Sequence, residues 1–203
     1  MTRPGPCSRL AVLCGPRLSK REPHRTFSPF VRPTPDAIRR DPDGVRQHLD
    51  AWRTAVATQL PGPLHEALAR LQQSRTARWC TLITRTIDGL LQKAAAEHVI
   101  ELEGSLFRLR CLQDRSHPRV EIFGAQRHLR PCGICGGPLR PDVVLPGEPL
   151  LALDDARRAL STCDLALLVG LDTDPVLEAL PPGIQRLVID PGPAVSLVHQ
   201  LAG

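Results

Sequence analysis

The chain has 203 residues, a formal net charge of +5, 42% hydrophobic and 23% charged residues, which suits one globular domain with a modest insertion. Its 21 prolines and 3% aromatics argue for broken elements and long ordered loops, and against a helical bundle. The basic excess is scattered arginine with no aromatic-interleaved patch, so no specific nucleic-acid partner is expected.

No apolar run reaches the ~18 residues of a membrane span, so no membrane partner is expected. Leu10–Cys14 is too short for the apolar core of a signal peptide, and a cytoplasmic location is the expectation. The cysteine count is seven, an odd number, and Cys132 and Cys135 form a Cys-x-x-Cys. That pattern favours metal or free thiols over a disulfide framework.

In chain order, residues 1–9 read as a flexible tail. Leu10-Ala11-Val12-Leu13 reads as a short buried strand closed by Cys14-Gly15-Pro16, the kind of strand and glycine turn that opens a dinucleotide-binding βα unit. Residues 32–75 read as a helical module. Pro35 opens one helix, and Asp41-Pro42 starts another with proline in its first turn. Val45, Leu49, Trp52 and Val56 recur at helical spacing, and Leu64, Leu68 and Leu71 form the next apolar stripe after the break at Pro61-Gly62-Pro63. His65 and Trp52 are read as core packing. Trp79–Ile83 is the next strand, followed by a polar turn at Thr84–Gly89, a short helix, and a second apolar run that stops at Gly104.

A small Cys-containing insertion, resembling a zinc ribbon, spans 110–139. Cys132-Gly133-Ile134-Cys135 is a complete knuckle, and two such knuckles present four thiolates to one tetrahedral ion. The first knuckle is Cys111-Leu112-Gln113-Asp114, so the candidate ligands are Cys111, Asp114, Cys132 and Cys135, with His117 or His128 as alternative fourth donors. The competing reading is a relic knuckle whose cysteines are merely buried. Either way the role is structural, because a closed site offers no open coordination position. After the insertion, Asp154–Leu160 reads as a helix with acidic first-turn residues. Leu165–Gly170 and Leu187–Asp190 read as buried parallel strands. Strands alternating with helices predict an α/β fold: a Rossmann-type parallel sheet drawn from 10–31, 76–109 and 140–203.

Two stretches carry a family resemblance: Thr84-Arg85-Thr86-Ile87-Asp88-Gly89-Leu90-Leu91 and Glu101-Leu102-Glu103-Gly104-Ser105. They resemble the sirtuin patterns Thr-Gln-Asn-Ile-Asp-Gly-Leu-His and Glu-Leu-His-Gly-Ser. Sirtuins are NAD-dependent protein deacylases, so the resemblance implies NAD as cofactor and an acylated-lysine peptide as partner. It places Glu103 at the position of the family's general-base histidine, with Asp88 as a second catalytic and cofactor-orienting candidate. A turn-forming role for Asp88 stands beside that one. Histidine suits the task because it titrates near neutral pH, whereas a carboxylate ordinarily titrates near ~4.3. Arg85 is expected to pair with Glu103.

The resemblance also implies cofactor contacts at Gly15, Ser19, Phe27, Thr86, Asp88, Gly170 and Asp190. The glycine loop departs from the family at Pro16 and Arg17, and the mobile cofactor loop departs at Thr26 and Ser28. Asp172 puts negative charge where the family contacts the cofactor, while Asp190 suits a ribose hydroxyl. Arg140-Pro141-Asp142-Val143-Val144 and Gly147-Glu148 resemble the strand that receives the acyl-lysine peptide, which gives Val143, Val144, Gly147 and Glu148 as peptide contacts. Scaffold positions match and chemical positions differ. The reading is therefore a sirtuin-like protein, weak or inactive because Glu103 replaces the histidine. The alternatives are an active NAD-consuming deacylase or ADP-ribosyltransferase using Glu103, and a non-catalytic interaction protein that no longer binds NAD.

Overall fold

The computed structural model describes residues 9–18, 34–74, 79–124, 130–171 and 173–202. Ser19, Thr26, Phe27, Ser28, His128 and Asp172 lie outside the described residues, as do the first eight residues of the expected tail. Among the described residues no helix is long and apolar enough to cross a membrane.

The main sheet is parallel. It comprises β1 (Arg9–Cys14), β2 (Trp79–Thr84), β3 (Ile100–Glu101), β7 (Leu165–Val169) and β8 (Gln185–Ile189), in the order β3-β2-β1-β7-β8. β1 and β7 are apolar nearly throughout and buried on both faces, as parallel strands between helical layers must be. One face carries α3 (Pro63–Gln73) and α6 (Pro191–Ala202), which bury Leu64, Leu68, Leu71 and Val198 against Leu10, Val12 and Leu167. The other carries α5 (Leu153–Ser161), whose Ala156 and Leu160 pack on Leu13, Ile83 and Leu168. Alternation along each strand assigns successive residues to opposite layers.

A second sheet is antiparallel. β4 (Gly104–Cys111) pairs with β5 (Val120–Glu121) and β6 (Leu139–Val143). Residues 104–109 and 140–143 thus lie in this sheet rather than the parallel one. It is covered by α2 (Pro42–Ala57), which follows α1 (Pro35–Arg40). The stripe Val45, Leu49, Trp52 and Val56 packs on Leu106, Val143 and Leu145. Arg53 pins the same helix: its fully buried guanidinium pairs with Asp50 and donates to Gly124 O at 2.9 Å and Leu106 O at 3.2 Å. Burial pushes its pKa down to about 10. His65 is buried, and its Nδ1 accepts from Gly62 N at 3.2 Å, closing the N-terminus of α3.

The two sheets meet at Gly104. Its φ of +80° admits glycine readily, and a Cβ there would lie 1.8 Å from Asp142 O. The β4–β6 pairing can begin this close to the parallel sheet only because position 104 has no side chain.

Candidate functional site

The order β3-β2-β1-β7-β8 reverses direction at β1, so the crevice above the C-terminal ends of β1 and β7 is the topological switch point. Three connections converge near it: the turn after β1, the Thr84–Gly89 turn after β2, and the turn after β7. Backbone bonds tie the β2 turn to its neighbours. Arg85 N donates to Cys14 O at 2.9 Å, Leu102 N to Thr84 O at 2.9 Å, and Val144 N to Glu103 O at 2.9 Å.

The site's centre is an ion-pair chain. Arg85 Nε donates to Glu103 Oε1 at 2.6 Å, and Arg85 NH1 donates to Asp174 Oδ2 at 2.7 Å. The side chains of Glu103 and Asp174 are 6% and 4% exposed, against 24% for Arg85, so both acids meet their shared cation largely out of water. Burial opposes the charge on Arg85, but Glu103 and Asp174 outweigh it and hold its pKa above the ordinary arginine value. Asp174 also accepts from Val176 N at 3.0 Å, capping a 3-10 segment, Pro175–Ala179. The expected Arg85–Glu103 contact is present; Asp174 was not anticipated. An Asp before a Pro signals a cap, and nothing in the sequence links it to a residue 89 positions away.

Asp88 Oδ1 accepts from Leu90 N at 3.1 Å, which starts the short helix α4 (Leu90–Lys93). That is the turn-forming geometry. Thr86 folds back, its N–H and hydroxyl meeting Thr84 Oγ1 at 3.0 and 2.9 Å.

At the switch point the turn amides are engaged internally. Gly15 N donates to Val169 O at 2.8 Å, position 16 is proline, and Leu18 N donates to Gly15 O at 3.0 Å. Gly15 is needed for packing: a Cβ would lie 2.6 Å from Gly170 O. Gly170 has a φ of +69° and carries Arg17 on its carbonyl, with Arg17 Nε donating at 3.0 Å. Arg17 NH1 also lies 3.6 Å from Asp190 Oδ1, so the exposed acid expected to face a ribose has a guanidinium beside it. Among the described residues of this turn, the amides of Gly15 and Leu18 are taken within the protein, position 16 offers none, and the cation at its mouth belongs to a side chain.

The expected peptide contacts lie along the end of β6 and the turn that follows it. Val143 lies in β6 and, with Val144, is buried. Gly147 sits at φ +86° in the turn that follows. The Glu148 carboxylate is held by Arg140 NH1 at 2.7 Å, by Arg110 NH2 at 3.2 Å and by Leu145 N at 3.0 Å. Burial pulls Glu148 upward, but Arg140, the Leu145 N–H and Arg110 together outweigh it and its pKa falls below the ordinary carboxylate value. Fully buried Asp142, which the sequence left as one letter of a motif, pairs with Arg119 at 2.7 Å and with Arg108 and Arg110 at 3.6 Å.

The cysteine cluster assembles with one change of ligand. Cys111 Sγ is 3.6 Å from Cys135 Sγ, Cys132 Sγ is 3.3 Å from His117 Nδ1, and all four ligand atoms lie within 4.8 Å of one another. These spacings match tetrahedron edges built from Zn–S bonds of about 2.3 Å and Zn–N bonds of about 2.0 Å, so the residues fit zinc. The Asp114 backbone N–H and His117 together lower the Cys111 pKa to about 6, which favours the thiolate a metal requires. Asp114, expected as a ligand, is not in the cluster. It accepts from Ser116 N at 2.8 Å and stands 3.6 Å from His117 Nε2, behind the ring nitrogen that faces away from the sulfurs. The chain makes this exchange because Asp114 turns onto its own backbone while His117, three residues on, reaches Cys132.

Comparison with known proteins agrees with this architecture. The model of the Sir2 family matches residues 29–174. An NAD-dependent protein deacylase of Thermus thermophilus is 35% identical over 182 residues, covering 82% of this chain and 70% of the relative. Another, from Thermococcus kodakarensis, is 35% identical over 154 residues, 72% of this chain; this chain spans 59% of that relative's length. Among solved structures, a mutant Sir2 homologue in complex with ADP-ribose superposes with a TM-score of 0.78 at 24% identity, over 97% of this chain and 91% of the other. A Sir2 homolog–NAD complex gives 0.75 over 97% and 88%. Parallel sheet, switch-point crevice, cysteine cluster and family match together show that the chain belongs to the Sir2 family.

Proposed function

We propose that this chain is a Sir2-family protein of NAD-dependent deacylase descent whose catalytic step is weak or lost. The observation that carries the reading is Arg85, held between Glu103 and Asp174. A general base needs a lone pair free to reach the proton it removes. Glu103 Oε1 instead points at Arg85 Nε, and withdrawing it would strand a buried carboxylate at a cost of several kcal/mol. Thr86, at the family's asparagine position, is turned toward Thr84. The engaged amides at Gly15 and Leu18 support weakened dinucleotide affinity as part of the same reading.

NAD, if bound, would supply an electrophilic ribose carbon for an acyl oxygen. The residues at the base position and the described part of the phosphate turn do not fit a reacting dinucleotide. What this chain's residues do is structural. Arg85 ties the β2 turn to the start of the second sheet and to the β7 turn, and Glu148 and Arg140 brace the turn beyond β6. Two of the similar Sir2 structures are bound to acetylated or propionylated peptides; an acyl-lysine peptide is the substrate class proposed here for any residual activity. The test is a pair of measurements. NAD should raise the melting temperature little or not at all, since a ligand of the folded state stabilises it in proportion to occupancy. Nicotinamide release with an acetyl-lysine peptide should stay at background. Robust release that Glu103→Gln abolishes would instead establish Glu103 as an active base.

A further inference from the structure

A cavity of about 500 Å³ lies between α4, the end of α2 and the β4–β5 pair, and Arg85, Glu103 and Asp174 are not in its lining. Its walls are the end of α2 (Val56, Ala57), Phe107 of β4, and Phe123 beyond the edge strand β5. The volume falls within the range of small-molecule sites, and the lining is mainly apolar. Phe107 packs on a bare backbone: a Cβ at Gly89 would lie 3.1 Å from its ring, so the glycine admits the aromatic face here. Phe123 is 80% exposed at the mouth.

The charges around this cavity are unequal. Both cations in the lining are already engaged: Lys93 Nζ donates to Ala57 O at 2.8 Å and to Gln59 O, and Arg108 pairs with Glu101, which also accepts from Gln92 at 2.7 Å. The acids Asp88, Glu101 and Glu121 outnumber Lys93 and Arg108 by one. Among the described residues the Glu121 carboxylate makes no hydrogen bond or ion pair, although Arg108 is its cross-strand neighbour, and it lines the same cavity as Phe123. Two aromatic rings beside a carboxylate that forms no ion pair among the described residues favour a cation with an apolar body, through the ring quadrupole and direct charge attraction.

We infer that this cavity is a binding site for a primary ammonium group on an apolar stem. The source is a free hydrophobic amine or a lysine side chain presented by a peptide, and the experiment separates the two. The full chain is titrated with 4-phenylbenzylamine, with its neutral alcohol 4-phenylbenzyl alcohol, with 4-biphenylacetate, and with a short unmodified lysine peptide, using ligand-observed NMR and thermal shift. The amine should bind best and the acetate worst. Glu121→Gln should weaken amine binding by about fivefold, the upper end for an exposed ion pair, while leaving the alcohol unchanged. Val56→Trp and, as a second filler on the same wall, Ala57→Phe should each abolish binding in folded protein. Peptide binding with the same Glu121 dependence assigns the site to a protein partner; amine binding alone assigns it to a metabolite. Equal affinity for amine and alcohol, insensitivity to both cavity fillers, or no binding of any probe at millimolar concentration overturns the inference. No readout involves NAD, so failure here is distinguishable from failure of the proposed function.

Discussion

Arg85 Nε and Glu103 Oε1 lie 2.6 Å apart, and this contact joins the turn after β2 to the residue just before β4 of the second sheet. Asp174 completes the chain from a third connection, at 2.7 Å. Removing one member of a largely buried ion pair leaves the others uncompensated, whereas replacing all members is often neutral. Arg85→Met should therefore cost about 3 kcal/mol of unfolding free energy. Adding Glu103→Gln and Asp174→Asn should recover most of that loss. Urea melts of the single and triple variants check this; equal stability of Arg85→Met and the parent protein would show that the chain contributes nothing.

Gly104 admits no side chain. Alanine there would place its Cβ 1.8 Å from Asp142 O at a φ of +80°, so the backbone must move. Gly104→Ala should destabilise by about 4 kcal/mol or more, the range reserved for backbone clashes in a core. Thermal unfolding measures it.

Much of the architecture was legible in the sequence, and the reason is periodicity. The unbroken apolar run Leu165–Val169, too short for a buried helix, reads as a strand buried on both faces, and the stripe Val45, Leu49, Trp52 and Val56 reads as one face of a helix. The resemblance in the 84–91 and 101–105 stretches placed Glu103 beside Arg85 before any geometry was available. What stayed illegible depends on chain segments that meet only in three dimensions. Asp174 looks like a cap, Arg53 like one more surface arginine, and Asp142 like a motif letter; their partners lie on other elements. The choice between Asp114 and His117 was open for the same reason. Spacing alone does not reveal which of two nearby donors turns back on its own backbone.

Metal removal should expose that choice. Zinc binding is coupled to folding of the module, so a chelator should lower the melting temperature, and Cys132→Ser should lose the metal altogether. Asp114→Asn should keep full occupancy at saturating zinc yet weaken affinity by about 10–100-fold, as expected of a group that orients a ligating histidine. Metal analysis and competition with a chromophoric chelator distinguish the two. Complete loss of zinc in Asp114→Asn would return Asp114 to the ligand set.

Glu148 gives the pH prediction. Its folded pKa lies below the unfolded value near 4.5, so its stabilising contribution is present at neutral pH. As pH falls from the unfolded value through the lower folded one, the carboxylate protonates and that contribution disappears. Glu148→Gln should therefore be less stable than the parent by about 3 kcal/mol at pH 7, with the gap narrowing below about pH 4.5. A gap that widens in acid contradicts the assignment.

The most direct measurement is the rate at which the purified protein releases nicotinamide from NAD in the presence of an acetyl-lysine peptide. With Glu103 tied to Arg85, release should equal the protein-free control, and Glu103→His alone should not restore it while Pro16 and Arg17 remain in the phosphate turn. Turnover at an ordinary enzymatic rate, about 1 s⁻¹ or faster, would contradict the account.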